Sequence, residues 1–348
     1  MVYEGKKKKV LVIGLGQLGL PVAKYIKENT SFDVYGYDIS QKAMERAEKI
    51  VSINKISYDN DFGEFEVFIL CVSTHKTDDM FTPQIDSLLS IIEEKISKEA
   101  RNDALVSIES TIPRGTSRKI FEMVNHRLHV AHVPHRWYGL EEKDHGVNQL
   151  RVAGGVCGCC LNAAMQFYNN DADRVSRNKM SIGTNGNDRC NTDNSSGRIY
   201  TNAYRMGLGI PLFPVSNIEI AEITKIAENA YRYLQIAFAE DLYLYCQAND
   251  INFQELRDAV NTKWNVNILE PRYGIGGHCL PKDTKMFLES SKSTRKSKIL
   301  SAAIEVDQDY RRHLQARSVI IQEIHHKMEE DKIKSIINQR IRYTKIGD

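Results

Sequence analysis

Cys279 stands in the run Arg272-Tyr273-Gly274-Ile275-Gly276-Gly277-His278-Cys279-Leu280-Pro281-Lys282-Asp283, which gathers thiol, imidazole, ammonium and carboxylate groups into a short, glycine-rich stretch. Glycines let backbone approach a ligand or another segment, and the charged neighbours tune a thiolate and orient water, so the run suits a nucleophilic cysteine. A buried cysteine in a plain turn would carry much of the same local sequence. A second chemical stretch is Gly14-Leu15-Gly16-Gln17-Leu18-Gly19, with Asp38 nineteen residues after the last glycine. The first glycine permits a tight turn, the second lets a pyrophosphate approach backbone, and the third allows close helix packing. The phosphates then meet the free N–H groups of a helix N-terminus. Asp38 can bind both ribose hydroxyls and repels a 2′-phosphate, which favours NAD over NADP. Lys225 and Asn229 lie four apart in a helical pattern and share one face, where ammonium and amide converge on one oxygen. Thr111 and Thr116 flank Pro113 and Gly115, giving hydroxyls on a fixed loop or simply a turn.

These residues need a scaffold, and the apolar pattern supplies one. Strands are expected at 10–13, 34–37, 65–72, 104–107 and 130–133, with helices at 18–27, 41–49 and 83–98 between them. That succession predicts an α/β, Rossmann-like doubly wound parallel sheet, with ligands beyond the carboxyl ends of its strands. From about 217 the pattern turns helical, with one long central helix to about 247 and further helices at 253–260 and from 300. The expected organisation is an NAD-binding domain over 1–168, a polar insertion or linker over 169–210, a helical catalytic and dimerisation domain over 211–312, and a charged helical tail over 313–348. The Asn, Asp, Ser, Gly and Arg content of 169–206 leaves little to offset its ordering entropy.

With 47 basic and 45 acidic side chains the formal charge is only +2, so no net field draws the chain to nucleic acid or an anionic membrane. The apolar run after Lys6–Lys9 is interrupted by the glycines and reads as the first strand and turn of a cytoplasmic enzyme rather than a secretory signal. Seven scattered cysteines argue for reduced thiols rather than a disulfide framework. Cys157, Cys159 and Cys160 lack a second CxxC-like half and are read as small side chains packed where a strand meets a helix. His126, His129, His132 and His135 are spaced poorly for one strand face, and no metal is expected.

Taken together, the separated motifs resemble the nucleotide-sugar dehydrogenases of the UDP-glucose/GDP-mannose dehydrogenase family over roughly residues 8–165 and 211–312. Cys71-Val72-Ser73-Thr74, Ser110 to Thr116, Arg151 before Gly154-Gly155, Lys225 with Asn229, and the Gly276 to Asp283 run carry the likeness beyond the glycine fingerprint. Gly277-His278-Cys279 has the look of the branch that acts on UDP-N-acetylhexosamines such as UDP-N-acetylmannosamine, whereas glucose and mannose enzymes more often place serine beside the cysteine. The resemblance implies a four-electron oxidation of a sugar C6 alcohol to the uronate, with two NAD consumed and Cys279 holding first a thiohemiacetal and then a thioester. It makes Lys225 the stabiliser of oxyanion charge and gives water to Thr111, Asn229 and Asp283. Cofactor contacts fall to Gly14, Gly16, Gln17, Leu18, Gly19, Asp38, Val72, Thr74, Ser110, Thr111 and Lys282. Substrate contacts fall to Arg136, Lys225, Asn229, Tyr273, Gly276 and Gly277. A homodimer built on the long helix is also implied.

Three departures stand out. The family's Pro-Glu pair, whose glutamate is thought to assist thioester hydrolysis, is Pro134-His135 in this chain, leaving His135 or Glu109 as the base. The motifs of the family's C-terminal lobe are missing, so a dimer partner or a separate partner lobe is expected to complete the nucleotide pocket. The third is the polar insertion, unlike the short link expected there. Alternatives are a non-catalytic NAD-binding relative, a UDP-glucose or GDP-mannose enzyme, and a two-electron hydroxyacid dehydrogenase, which would not need Cys279.

Overall fold

The apolar run Val10-Leu11-Val12-Ile13 is buried on both faces and forms the core of strand β1 (Lys9–Ile13), an interior strand of a sheet that orders the N-terminal part of the chain. In this computed structural model the described residues are 7–344 except 77, 80, 138–145, 170–206 and 292–296. Nearly all of the expected polar insertion therefore lies outside the described residues. After β1 come α1 (Gly19–Asn29), β2 (Asp33–Tyr37), α2 (Gln41–Val51), β3 (Asn54–Lys55) and β4 (Val67–Leu70). The helix expected at 83–98 starts at Asp86 and is a composite of α3 (Asp86–Ile91), a π turn (Ile92–Ile96) and α4 (Ser97–Glu99). Then follow β5 (Leu105–Ile108), α5 (Thr116–Met123), β6 (His129–His132), β7 (Arg151–Gly155), α6 (Gly158–Tyr168) and β8 (Leu212–Pro214).

The eight strands run in the order β3-β2-β1-β4-β5-β6-β7-β8, all parallel except the β6–β7 pair. The order reverses between β1 and β4, and a doubly wound sheet binds ligands in the crevice at that point. Val10, Val12 and Ile69 pack one face against Val22 and Ile26 of α1 and Ala164 of α6. Leu11, Ile13 and Phe68 pack the other against Leu88, Ile92 and Ile120.

Strands β3, β7 and β8 carry no alternating or β-branched signal and were not foreseen. β7 is set instead by its small residues. A Cβ on Gly154 would meet the Ile218 Cα at 2.8 Å, and one on Gly155 would meet the Leu161 backbone nitrogen at 2.2 Å, so only glycine lets this strand sit under two helices.

The long helix α7 (Ile218–Ala248) is followed by α8 (Phe253–Asn261), α9 (Cys279–Glu289) and α10 (Lys298–Thr344). Two compact units result, Met1–Asn229 with Lys282–Lys292, and Ala230–Pro281 with Ser293–Asp348. The second is all-helical and has its own core of Tyr233, Ala237, Ile275 and Ala303. Among the described residues no helix is long and apolar enough to cross a membrane.

Candidate active site

In the first unit, the turn after β1 has the form that a dinucleotide requires. Gly14 has φ +88°, a value that side chains avoid, and its N–H donates to the Tyr37 carbonyl at 2.8 Å. A Cβ there would strike the Cys71 carbonyl oxygen at 2.6 Å, while one on Gly19 would strike the Gly14 oxygen at 1.7 Å. Gly16 has nothing within 4 Å of its Cβ position, which leaves its backbone open to an approaching pyrophosphate. Gln17 lies in the same turn, and Leu18 is the N-cap of α1 without a side-chain cap bond, so the helix keeps its N–H groups for an anion. Asp38, just past β2, accepts from Leu15 N at 2.6 Å and Ser40 N at 2.7 Å, and Arg46 braces the turn by donating to the Leu15 carbonyl at 3.0 Å. Arg46 was not singled out from the sequence. Replacing Asp38 by alanine should narrow the preference for NAD over NADP measured by direct binding. Equal or tighter NADP binding by the unaltered chain would contradict the assignment of Asp38.

The loop after β4 is pinned from two sides. Ser110 is buried, and its hydroxyl is spent on the carbonyls of Val72 at 2.7 Å and Leu70 at 3.2 Å, so it positions the Val72 backbone. The buried Thr74 hydroxyl accepts from the Lys282 ammonium at 3.3 Å. Lys282 also pairs with Asp283 at 2.7 Å, and the other Asp283 oxygen accepts from Asn229 Nδ2 at 2.5 Å. Asn229, Asp283, Lys282 and Thr74 therefore form one polar chain. Half-buried Lys225 lies one turn before Asn229 on α7, as the four-residue spacing predicts.

Two turns of α7 before Lys225 and Asn229 clamp the Thr111 loop. Glu222 is fully buried and accepts from Gly115 N at 2.6 Å and Ser117 N at 2.8 Å, capping α5, whose own N-cap Gly115 has no side chain to do so. Burial raises the Glu222 carboxyl, opposed by those bonds. Arg114 pairs with Glu219 at 2.6 Å. Thr111 is half-buried in the loop so fixed, whereas Thr116 folds back onto the Pro113 carbonyl at 2.7 Å. Arg136, expected to touch substrate, is ion-paired to Glu228 and donates to the Leu150 carbonyl at 3.0 Å.

His135 lies in a buried charge network that the sequence only half revealed. Its Nε2 is 2.9 Å from one oxygen of Glu109, and Arg151 Nη1 is 2.9 Å from the other. Tyr168 donates to Glu109 at 2.5 Å and exchanges a 2.7 Å hydrogen bond with Ser107. Burial pushes the Glu109 carboxyl up, but Arg151 and His135 outweigh it and hold it at about 2. Burial, aided by Arg151, lowers the His135 imidazole to about 4 despite Glu109. At neutral pH the pair is thus carboxylate and neutral imidazole. The carboxylate can only accept, so Nε2, in contact with Glu109, carries the proton, and Nδ1, which has no hydrogen-bond partner among the described residues, presents the lone pair.

In the second unit, the 272–278 loop is tied to α10. Asp307 accepts from Ile275 N at 2.8 Å, Arg311 donates to the Ile275 carbonyl at 2.7 Å, and Tyr310 donates to the Arg272 carbonyl at 3.0 Å. Gly274 (φ +87°) packs against Arg311, while Gly276 and Gly277 leave their Cβ positions clear. Tyr273 is 88% exposed. Cys279 is exposed at the first residue of α9, with its sulfur 3.5 Å from His278 Nε2. The first turn's N–H groups favour negative charge on that sulfur.

A 3-2-1-4-5-6 sheet core with a glycine turn after its first strand and an aspartate at the end of its second defines the class of Rossmann-type dinucleotide-dependent proteins. Residues 8–141 match the NAD binding domain of the UDP-glucose/GDP-mannose dehydrogenase family, and residues 219–309 match the central domain of that family. The chain belongs to the UDP-glucose/GDP-mannose dehydrogenase family, and its cofactor is NAD. A relative from Methanococcus maripaludis, UDP-N-acetyl-D-mannosamine dehydrogenase, is 27% identical over 86% of this chain and 65% of its own length. Another of that name from Campylobacter jejuni is 27% identical over 96% of this chain and 77% of its own. The chain thus spans about two thirds of the length of the Methanococcus relative. Among solved structures, the UDP-D-ManNAc dehydrogenase of Pyrococcus horikoshii shares the fold with TM-score 0.65 and 24% identity, over 87% of this chain and 68% of that one. The NDP-N-acetyl-D-galactosaminuronic acid dehydrogenase of Methanosarcina mazei gives 0.66 and 22%, over 91% and 69%.

Proposed function

We propose that the chain oxidises the C6 alcohol of a UDP-N-acetylhexosamine to the uronate, in four electrons, with Cys279 as the covalent carrier. The observation that carries this reading is the Asn229–Asp283–Lys282 polar chain beside Lys225, in which Asp283 lies four residues past Cys279 on the helix that the cysteine opens. A non-catalytic relative has no need of that set.

NAD, when bound, accepts the electrons of each oxidation. The glycine turn and Asp38 hold it, with the Val72–Thr74 and Ser110–Thr111 loops bordering the site. Lys225 stabilises negative charge on the C6 oxygen, while Asn229 and Asp283 hold the water that takes its proton. The Cys279 sulfur bonds to the aldehyde carbon, giving a thiohemiacetal that cannot escape, and the second oxidation turns it into a thioester. His135, oriented by Glu109, takes a proton from water through Nδ1, and the resulting hydroxide displaces the Cys279 thiolate to release the uronate.

Tyr273, Gly276, Gly277 and Arg136 are assigned to the sugar nucleotide, with the Arg136–Glu228 pair opening to let the guanidinium meet a phosphate. Tyr231, Phe238 and Tyr245 recur every seven residues on α7 and are all more than half exposed, a stripe suited to packing against a second copy. Light scattering should therefore find a dimer at micromolar concentration. Particles of one chain only, 39.7 kDa, would contradict it.

The substrate is tested with UDP-N-acetylmannosamine, UDP-N-acetylglucosamine, UDP-glucose and GDP-mannose compared by kcat/KM. An acetamido sugar should lead. A tenfold advantage for UDP-glucose or GDP-mannose, about 1.4 kcal/mol in transition-state binding, would overturn that choice.

A further inference from the structure

The junction of β6, β7 and α6 gathers four soft ligands that no step of the oxidation uses. Cys157 is the N-cap of α6, and Cys159 and Cys160 lie in its first turn. The Cys157 sulfur is 2.8 Å from that of Cys159 and 3.2 Å from that of Cys160. From the neighbouring strand comes His129. A ring nitrogen of His129 and the sulfurs of Cys159 and Cys160 all lie within 4.8 Å of one another. The sheet explains the meeting: extending the antiparallel register Ala131↔Gly155 by two residues sets His129 opposite Cys157, and the Val156 N–H to Val130 carbonyl bond at 3.1 Å keeps that register.

We infer that Cys157, Cys159, Cys160 and His129 form a structural site for a zinc-class cation. Three thiolates and an imidazole make a closed tetrahedral set for zinc, with bonds of about 2.3 Å to sulfur and about 2.0 Å to nitrogen. One ion with such bonds holds its ligand atoms roughly 3.5–4 Å apart, so the Cys157 sulfur, closer than that to both Cys159 and Cys160, swings outward when it joins the group that those two form with His129. The ligand types select zinc-like ions over magnesium or calcium, which take oxygen. Two further features suit thiolates. The Cys160 sulfur accepts the Val130 N–H at 3.4 Å, and the cluster sits on the N-terminal turn of an eleven-residue helix, which offsets the negative charge of three sulfurs. Half-buried Cys157, Cys159 and His129 leave the ion a route from solvent. His129 begins β6, so the site lies at the amino-terminal edge of the parallel strands, away from the carboxyl edge where dinucleotides bind. Its role is to fasten β6, β7 and α6 together.

The full-length chain is stripped with a chelator under reducing conditions and titrated with Zn²⁺, Co²⁺ and Mg²⁺. About one equivalent of Zn²⁺ should bind per chain with a rise in melting temperature, and Mg²⁺ should give no response. The cobalt form should show thiolate-to-cobalt charge transfer and the intense visible bands of tetrahedral coordination. Cys159→Ser and His129→Gln should each weaken binding by at least about tenfold, whereas Cys279→Ser should keep the cobalt spectrum unchanged. Should a ligand variant fail to fold, the unaltered chain decides by itself, because Zn²⁺ must protect Cys157, Cys159 and Cys160 from alkylation mapped by mass spectrometry. Absence of tight Zn²⁺ binding, a spectrum lost with Cys279→Ser, or a Cys157–Cys160 disulfide in place of a metal would each overturn the proposal.

Discussion

Cys279→Ala abolishes uronate formation, by at least about 10³-fold in kcat, and leaves NAD binding unchanged. The loss is that large because without the sulfur the aldehyde has no covalent anchor, and no thioester can form for water to hydrolyse. Cys279→Ser keeps the shape but supplies a weak nucleophile, so at most slow aldehyde chemistry survives. NAD binding is untouched because the Gly14 turn and Asp38 belong to a compact unit that does not include residue 279. Intact-protein mass of the parent chain after mixing with substrate and NAD should show the sugar adduct, and the alanine variant should show none. Unchanged uronate output from the alanine variant would remove the covalent mechanism.

The second large effect belongs to the His135–Glu109 pair. His135→Gln fills similar space but has no basic lone pair, so thioester hydrolysis should slow by about 10²–10³-fold, in the range of a lost general base. Oxidation up to the thioester proceeds, so the variant gives a burst of NADH and then stalls with acylated Cys279. The pH profile separates this from a packing defect. Burial and Arg151 lower the imidazole to about 4, so the base form is full at neutral pH and is lost only as the pH falls through about 4, not through the ordinary histidine range near 6.5. Hydrolysis by the parent chain should be level from about pH 8 to about pH 5. An acid limb near 6.5, or a glutamine variant that hydrolyses normally, would exclude His135 as the base. Glu109 is the poorer position to probe, since its removal leaves Arg151 buried with its charge unmatched, a loss of about 3–5 kcal/mol in stability.

What the sequence disclosed follows contact distance along the chain. The glycine turn was legible because its geometry is local: Gly14, Gly19 and Asp38 are fixed by one strand–turn–helix and the next strand. Lys225 and Asn229 were legible because a helix period places them together. The long helix was read to within a residue, as its apolar stripe predicts. The network around Glu109 was not legible, since Arg151, Tyr168 and His135 reach it from three separate elements and only the sheet order brings them together. Arg151 was noticed as a motif residue, but its type gave no sign of full burial. Similarly, Cys157, Cys159 and Cys160 looked short of ligands because their fourth partner lies on β6, and strand β7, which sets the register, is built of small residues that give no strand signal. Glu222 could have been suspected from the sequence, because a glycine N-cap at 115 leaves α5 in need of an acceptor from elsewhere.

One active chain should carry a sugar through two oxidations without releasing the aldehyde. The measurement that tests it most directly is NADH formed per sugar consumed, with UDP-N-acetylmannosamine as substrate and the product identified by mass. A ratio of about two is expected, with uronate as the sole released product and no aldehyde trapped by an added amine. A ratio of one with aldehyde in solution would contradict it, as would NAD binding without turnover of any nucleotide sugar.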